Sequence, residues 1–204
     1  MRQEVDPRQT NRSQAFELWI NSPMPMVTLT KTLDVTRLRK RAKRGKFKLN
    51  MLLCWSIGKA ACEMEEFYVV PEDGKLFQYD LLAINVIVKN KNGGISTCDV
   101  PFHESIEQFD YDYRILTAQV YESCEDYSLD GYMIIGTSAL VETELDSIVN
   151  QYSGRFSNPF LAWGKLRKGF FKSTLPISFQ FHHVQMDGAE ASAFLERLQL
   201  EVAQ

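Results

Sequence analysis

A chain of 204 residues is long enough for one domain with a sizeable hydrophobic core, or for two very small domains. Hydrophobic residues make up 45% of the chain and charged residues 24%, shares that are typical of a globular protein. The net charge of -3 argues against a protein that binds nucleic acid over its whole surface. Because residues 1–11 are polar and no apolar run is long enough to span a bilayer, we expect a cytoplasmic protein that does not enter a membrane.

The cysteines give no sign of a metal site. There are four, widely spaced and without a Cys-x-x-Cys pair, at Cys54, Cys62, Cys98 and Cys124. Free thiols in a reducing compartment are favoured over disulfides. We therefore expect no bound metal.

A strand and a basic segment are predicted first. Residues 26–35 are rich in β-branched side chains, which predicts a strand that ends at Asp34, and Thr36 stands where the N-cap of a helix would stand. Residues 37–48 hold eight basic residues in twelve. A solvated helix face is favoured for most of them over a nucleic-acid site.

A helix and a hairpin come next along the chain. Residues 49–64 carry apolar side chains at helical spacing, and Asn50 is a candidate cap for the start of that helix. The Asp73-Gly74 pair predicts a hairpin turn between strands at residues 67–70 and 76–79.

The rest of the chain alternates between predicted strands and helices. The predictions are a strand at 81–88 buried on both faces, a helix at 102–121, strands at 132–141 and 175–182, a loop at 153–159, and an amphipathic helix at 189–202. No linker or repeat interrupts them, so we expect a single domain over residues 1–204 with mixed α and β structure.

The chain has three histidines, and two of them are adjacent. His182 and His183 stand at the end of the strand at 175–182 and are followed by Asp187-Gly188. Imidazole is the side chain best suited to proton transfer near neutral pH. Neighbours on a strand face opposite sides, so only one of the pair can act, and the alternation places His183 on the apolar side if the strand extends to it. On physical grounds alone, a histidine at the end of a buried strand more often has a structural role. A metal site is disfavoured because His183 and Asp187 have no further ligands nearby in the sequence. A Cys/His nucleophilic pair stays open, but nothing in the sequence marks any of the cysteines as its nucleophile.

The residues around His183 carry a resemblance to a known family. His183-Val184-Gln185-Met186-Asp187-Gly188 fits the His-x-x-x-Asp-Gly signature of coenzyme A-dependent acyltransferases, and with His182 before it the segment resembles the chloramphenicol acetyltransferase family. Further resemblances occur in the same order along the chain, at Arg12-Ser13-Gln14-Ala15-Phe16, Leu33-Asp34-Val35-Thr36, Glu66-Phe67 with Asp73-Gly74, and residues 158–165.

The resemblance implies roles for individual residues. His183 would be the general base that removes a proton from an acceptor hydroxyl, whose oxygen attacks the thioester of acetyl-CoA without a covalent acyl-enzyme. Asp187 would pair with Arg12 and hold the backbone of the site in shape. Two lysines would lie near the coenzyme, and an aromatic side chain would line the acceptor pocket; these are Lys48, Lys165 and Phe160.

The resemblance also implies the architecture. The expected fold is α+β, a two-layer sandwich with a large mixed sheet. The expected assembly is a homotrimer with active sites at the subunit interfaces, where one subunit gives the histidine and its neighbour gives much of the acceptor pocket.

Three positions depart from the family pattern. The family uses a serine hydroxyl to stabilise the oxyanion. An ungapped match places Gly136 at that position, and a shift of two residues places Ser138 there. Thr137 lies between them. Ala162 stands where the family has a threonine, and Leu166 replaces an aromatic residue on the adenine side.

The leading prediction is an acetyl-CoA-dependent O-acetyltransferase for a small hydroxylated acceptor, such as chloramphenicol. The departures motivate an alternative, a catalytically weak trimeric relative that binds a ligand or coenzyme. A third hypothesis, a core like that of the dihydrolipoamide acyltransferases, is disfavoured because those proteins carry Asp-His-Arg where this chain has His-His-Val.

Overall fold

The computed structural model describes residues 2–152 and 154–204. Its strands are β1 (Arg2–Val5), β2 (Met26–Asp34), β3 (Val69–Glu72), β4 (Lys75–Tyr79), β5 (Leu82–Lys89), β6 (Ile95–Pro101), β7 (Met133–Ala139), β8 (Phe160–Trp163), β9 (Arg167–Lys168) and β10 (Ser173–His182). Its α-helices are α1 (Ser13–Trp19), α2 (Thr36–Gly45), α3 (Leu49–Ala61), α4 (Ile106–Ser123) and α5 (Gly188–Val202).

A large mixed sheet is the centre of the fold. Its strands follow the order β2-β10-β8-β7-β5-β6, and β9 pairs with β10 as well. The β5–β7 and β7–β8 pairs are parallel, and the other pairs in this sheet are antiparallel. A second, three-stranded sheet has the order β1-β4-β3.

Helices cover one face of the large sheet. Alternate residues of β10 point into this core, where Phe179 packs against Phe194 of α5 with ring centroids 4.6 Å apart. Helix α3 is buried along almost its whole length, because it lies between its neighbouring helices and the sheet. The predicted two-layer α+β sandwich with a large mixed sheet is therefore confirmed.

The opposite face of the sheet is lined by small and polar side chains. Residues directly across in register share a face, and two such rows run Ser138–Ala162–Ser178–Thr30 and Gly136–Phe160–Gln180–Thr28. Part of the segment after β7 crosses this face, where Ser178 Oγ accepts a hydrogen bond from the Ile148 backbone at 3.0 Å.

Most predicted elements are confirmed with shifted ends. The Asp73-Gly74 turn joins β3 and β4, and the strands at 26–35, 132–141 and 175–182 correspond to β2, β7 and β10. The helices at 49–64, 102–121 and 189–202 correspond to α3, α4 and α5. Residues 154–159 form neither helix nor strand, and Ser153 of the predicted loop lies outside the described residues.

Two predicted helix caps are wrong. Helix α2 begins at Thr36 itself, because the Asp34 carboxylate accepts hydrogen bonds from both the Thr36 backbone (3.0 Å) and hydroxyl (2.6 Å). Helix α3 begins after Lys48, and the Asn50 amide instead lies 3.3 Å from the hydroxyl of Tyr113.

The prediction that residues 81–88 are buried on both faces holds only for the start of the strand. Strand β7 pairs with residues 82–85 of β5 and ends its pairing there. Beyond that point the strand loses a neighbour, and Ile87 is 41% exposed.

Candidate active site

The His-His segment forms a tight turn between β10 and α5. Strand β10 ends at His182, and the backbone N–H of Gln185 donates to the His182 carbonyl at 2.8 Å. The N–H of His183 donates to the Pro25 carbonyl at 2.8 Å, which ties the turn to the residue before β2. The alternation argument for His183 was therefore wrong, because the strand stops one residue too early for it to apply. The turn distinguishes the two histidines instead.

His182 supports the turn from inside. Its side chain is buried, and its Nδ1 accepts a hydrogen bond from the Val184 backbone at 3.1 Å. Burial, and secondarily the charge of His183, lowers the pKa of His182 to about 4. His182 is consequently neutral at physiological pH, with an unprotonated Nδ1 that fixes the backbone of the turn.

His183 presents one edge of its imidazole. The side chain is 31% exposed, and Nδ1 is buried 3.1 Å from Asp187 Oδ1. The two atoms are not aligned for a hydrogen bond, so the contact is electrostatic. Nε2 lies on the other edge of the ring, away from this contact.

Arg12 joins the N-terminal segment to this turn. Its guanidinium donates to both carboxylate oxygens of Asp187 at 2.9 Å, and to the backbone carbonyls of His183 at 2.9 Å and Val184 at 2.8 Å. The hydrogen bonds from Arg12 hold the pKa of Asp187 below its usual value, and those to Asp187 raise the pKa of Arg12. The planar guanidinium thus fixes both the carboxylate and the carbonyls that flank it.

Trp19 is a residue of the site that sequence reasoning missed. Its ring stacks on the His183 imidazole, with centroids 4.8 Å apart and an angle of 7° between the planes. Arg12 and Trp19 are seven residues apart, and two turns of a helix bring such residues to one face, but this spacing is informative only once α1 is known to be a helix. Arg12 immediately precedes α1, Trp19 is the last residue of that helix, and both contact the same turn.

Thr137 and Ser138 lie on opposite faces of β7. Thr137 faces the core at 2% exposure, and its hydroxyl donates to the Asn85 carbonyl at 2.7 Å. Ser138 lies on the other face, directly across from Ala162. At Gly136 the ring of Phe160 fills the space of a side chain, since an added Cβ would lie 2.4 Å from it. Of the two hydroxyls, only that of Ser138 is on the sheet face away from the core.

One chain does not bring Ser138 and His183 together. Ser138 lies across from Ala162, and Ala162 lies across from Ser178 on β10. His183 lies five residues beyond Ser178, a separation of about 16 Å along an extended strand. A site that uses both side chains requires a second copy of the chain.

The two lysines lie at the ends of other elements. Lys48 stands immediately before α3, and Lys165 comes after β8, where its backbone N–H donates to the Thr143 carbonyl at 2.7 Å. Both residues are exposed. Their ammonium groups are therefore accessible to an anionic ligand.

The family model described as chloramphenicol acetyltransferase matches residues 2–199. The chain belongs to this family. Chloramphenicol acetyltransferase 3 of Escherichia coli is 24% identical over 203 residues, 96% of this chain and 94% of that protein. Chloramphenicol acetyltransferase 2 of the same organism is 22% identical over 201 residues, with the same coverage.

Solved structures agree with this chloramphenicol acetyltransferase fold. A chloramphenicol acetyltransferase aligns with a TM-score of 0.84 and 22% identity, covering 99% of this chain and all of that one. A probable dihydrolipoamide acetyltransferase from Listeria monocytogenes aligns with a TM-score of 0.71 and 10% identity, covering 98% of this chain and 92% of that one.

Family membership makes the protein a coenzyme A-dependent acetyltransferase. Among residues 2–152 and 154–204, no three His, Cys, Asp or Glu side chains are grouped to hold a metal ion. Within the same residues, no helix has the length and apolar character needed to cross a membrane.

Proposed function

We propose that this chloramphenicol acetyltransferase relative transfers the acetyl group of acetyl-CoA to a hydroxyl group, with His183 as general base. The proposal rests on the restrained position of the His183 imidazole, which stacks on Trp19 and has its Nδ1 3.1 Å from Asp187 Oδ1. Such restraint keeps Nε2 in one position, which is what proton transfer to a positioned base requires.

His183 both takes up and returns the proton that moves during the reaction. Nε2 takes the proton of the acceptor hydroxyl as its oxygen bonds to the thioester carbonyl carbon. When the carbon–sulfur bond breaks, the imidazolium returns the proton to the departing coenzyme A thiolate. Asp187 stays ionised throughout, because Arg12 occupies both of its oxygens. Arg12 and Asp187 thus position the turn rather than take up the proton.

Ser138 is the proposed donor to the oxyanion that forms on the attacked carbonyl. It lies on the sheet face away from the core, two strands across from Ser178, and Ser178 is itself about 16 Å from His183 along the strand. We therefore infer a homotrimer in which His183 of one subunit meets Ser138 of its neighbour, so that each interface holds one active site.

Binding roles are proposed for three further residues. Lys48 and Lys165 are exposed cations suited to the phosphates of coenzyme A. Phe160 lies on the same sheet face as Ser138 and would contact the acceptor. The curated relatives are named chloramphenicol acetyltransferases, so chloramphenicol is the first acceptor to test. We also infer that the whole chain acts as a single domain.

A thiol-release assay with acetyl-CoA tests the proposal, using chloramphenicol and a panel of small alcohols as acceptors. Acceptor-dependent release should be present in wild type and fall by at least about a thousandfold in His183→Ala. His103→Ala is the matched control, since His103 also lies 3.1 Å from an aspartate but sits outside the turn. Coenzyme binding without release from any acceptor would favour the binding-protein alternative and overturn the proposal.

A further inference from the structure

One surface of the molecule concentrates positive charge. We name it the basic face and define it as residues 36–48 and 167–172. These two segments contain 11 of the 23 lysines and arginines and no aspartate or glutamate. The rest of the chain has 12 basic residues against 26 acidic ones, so a negatively charged protein carries one strongly positive surface.

The two segments of the basic face are adjacent in space. The Ser173 backbone donates to the Thr36 hydroxyl at 2.9 Å, and Arg39 donates to the Ser173 hydroxyl at 3.1 Å. Side chains from both segments, including Lys40 and Phe171, line one shallow depression of about 390 Å³. The cations of both segments therefore lie on a single surface, although Arg167 pairs with Asp146 and Lys172 with Asp34.

Helix α2 turns its charges outward. Leu38 and Ala42 are buried against the core and fix the orientation of the helix. Four of its basic residues are exposed on the other side, Arg37, Lys40, Lys43 and Arg44. A basic segment whose apolar residues are already packed inside presents its charge to an external partner.

Two phenylalanines project from the same surface. Phe170 and Phe171 lie at the turn between β9 and β10, and they are 94% and 85% exposed. The turn is closed by the Gly169 backbone, which donates to the Lys172 carbonyl at 2.8 Å. The two rings contact each other edge to face, with centroids 4.7 Å apart. Two exposed apolar rings therefore lie beside the cations of both segments.

We propose that the basic face docks the protein onto the surface of an anionic phospholipid bilayer. The lysines and arginines contact lipid phosphates, and Phe170 and Phe171 enter the boundary between headgroups and acyl chains. This peripheral contact replaces the expectation, drawn from the sequence, that the protein has no membrane partner. Single-stranded nucleic acid fits this surface less well, because bases stack on open ring faces along a groove. Here the two rings meet edge to face at a single turn, so they form a compact apolar pair rather than a row of parallel stacking surfaces.

Cosedimentation of the full chain with lipid vesicles tests the proposal. Binding is expected to vesicles of phosphatidylcholine and phosphatidylglycerol at 70:30, but not to phosphatidylcholine alone. Raising the salt from 0.1 to 0.5 M should weaken it at least about tenfold, because surface charges are screened. Phe170→Ser with Phe171→Ser should weaken binding about tenfold or more while the salt dependence remains, and Lys40→Glu with Lys43→Glu should abolish it.

Matched variants separate this surface from general effects. Phe156→Ser removes another exposed phenylalanine, 64% exposed, and should leave vesicle binding unchanged. Acetyl transfer to an acceptor in solution should remain normal in every variant, since Lys48 and Lys165 are retained. Absence of binding to the anionic vesicles, or binding that persists in the double phenylalanine variant, would overturn the proposal. Binding to a 20-nucleotide oligothymidylate in place of vesicles would overturn it in favour of a nucleic-acid surface.

Discussion

Trp19 lies flat against His183, with ring centroids 4.8 Å apart and planes only 7° from parallel. The stack restrains the face of the imidazole, and the Asp187 contact restrains its Nδ1 edge. Since the two residues are 164 positions apart in the sequence, the N-terminal segment is an integral part of the site. The same segment contributes Arg12, immediately before α1, so residues 12–19 restrain the turn at two points.

Replacing Trp19 should slow acetyl transfer without weakening coenzyme binding. Trp19→Ala is expected to lower kcat by about 10- to 100-fold, because the imidazole loses its fixed plane. Trp19→Phe retains a stacking ring and should recover most of the rate. Steady-state kinetics with both variants check this, and equal losses in the two would show that stacking is not what matters.

Arg12 should contribute more to stability than an ordinary surface arginine. Arg12→Ala leaves two backbone carbonyls and a carboxylate without their donor, and we expect a loss of about 2 kcal/mol in the free energy of unfolding. Arg12→Lys should recover only part of it, because an ammonium cannot make the bidentate contact.

Arg8→Ala is the matched control for this loss, measured by urea denaturation. Arg8 also pairs with an aspartate at 3.0 Å, but its side chain is 81% exposed. Its removal should leave the free energy of unfolding close to that of wild type, because an exposed ion pair is screened by solvent. Similar losses for Arg8 and Arg12 would contradict the proposed role of the Arg12 contacts.

The stability of the protein should depend on pH through His182. Its pKa is about 4 in the folded chain and lies near 6.5 when unfolded. A depressed folded-state pKa means that stability is fully present above pH 6.5 and is lost as pH falls from 6.5 toward 4, because the unfolded chain takes up the proton first. The expected loss between pH 7.5 and pH 5 is about 2 kcal/mol.

His182→Gln tests the assignment of that pH dependence. The variant lacks the titrating group, so its unfolding free energy should change less between pH 7.5 and pH 5 than that of wild type. His103→Gln, which removes a half-exposed histidine, should retain the wild-type slope. If the unfolding free energy of His182→Gln changed with pH as much as that of wild type, another group would be responsible for the pH dependence.

Ser138 and Thr137 should separate activity from stability. Ser138→Ala is expected to reduce kcat by about 100- to 1000-fold with little change in stability, as for loss of an oxyanion donor. Thr137→Val removes the hydrogen bond to the Asn85 carbonyl and should cost about 1 kcal/mol of stability with a small effect on kcat. The reverse pattern would assign the oxyanion donor to Thr137.

The sequence predicted the elements whose pattern is set by the core. The alternation in β10 is strong because one of its faces packs against Phe194 and its neighbours, and the spacing in α5 results from the same contact. The Arg12–Asp187 pair was predicted through the family resemblance, and the geometry now shows a bidentate contact.

Features that depend on long-range register were not predictable. Helix α1 has seven residues, none of them buried, so it lacks the apolar periodicity that identifies a helix. The distance between Ser138 and His183 depends on how β7, β8 and β10 pair, and no local pattern encodes that register. The end of β10 one residue before His183 is set by the turn, which overrides the alternation.

Mixing two inactive variants tests the central claim, an active site shared between subunits, most directly. His183→Ala and Ser138→Ala are each expected to be nearly inactive alone in the thiol-release assay. Coexpressed in equal amounts, they form mixed trimers in which about one interface in four combines an intact histidine with an intact serine from the neighbouring subunit. We predict recovery of about a quarter of the wild-type rate from the mixture. A mixture no more active than its components would contradict a shared site.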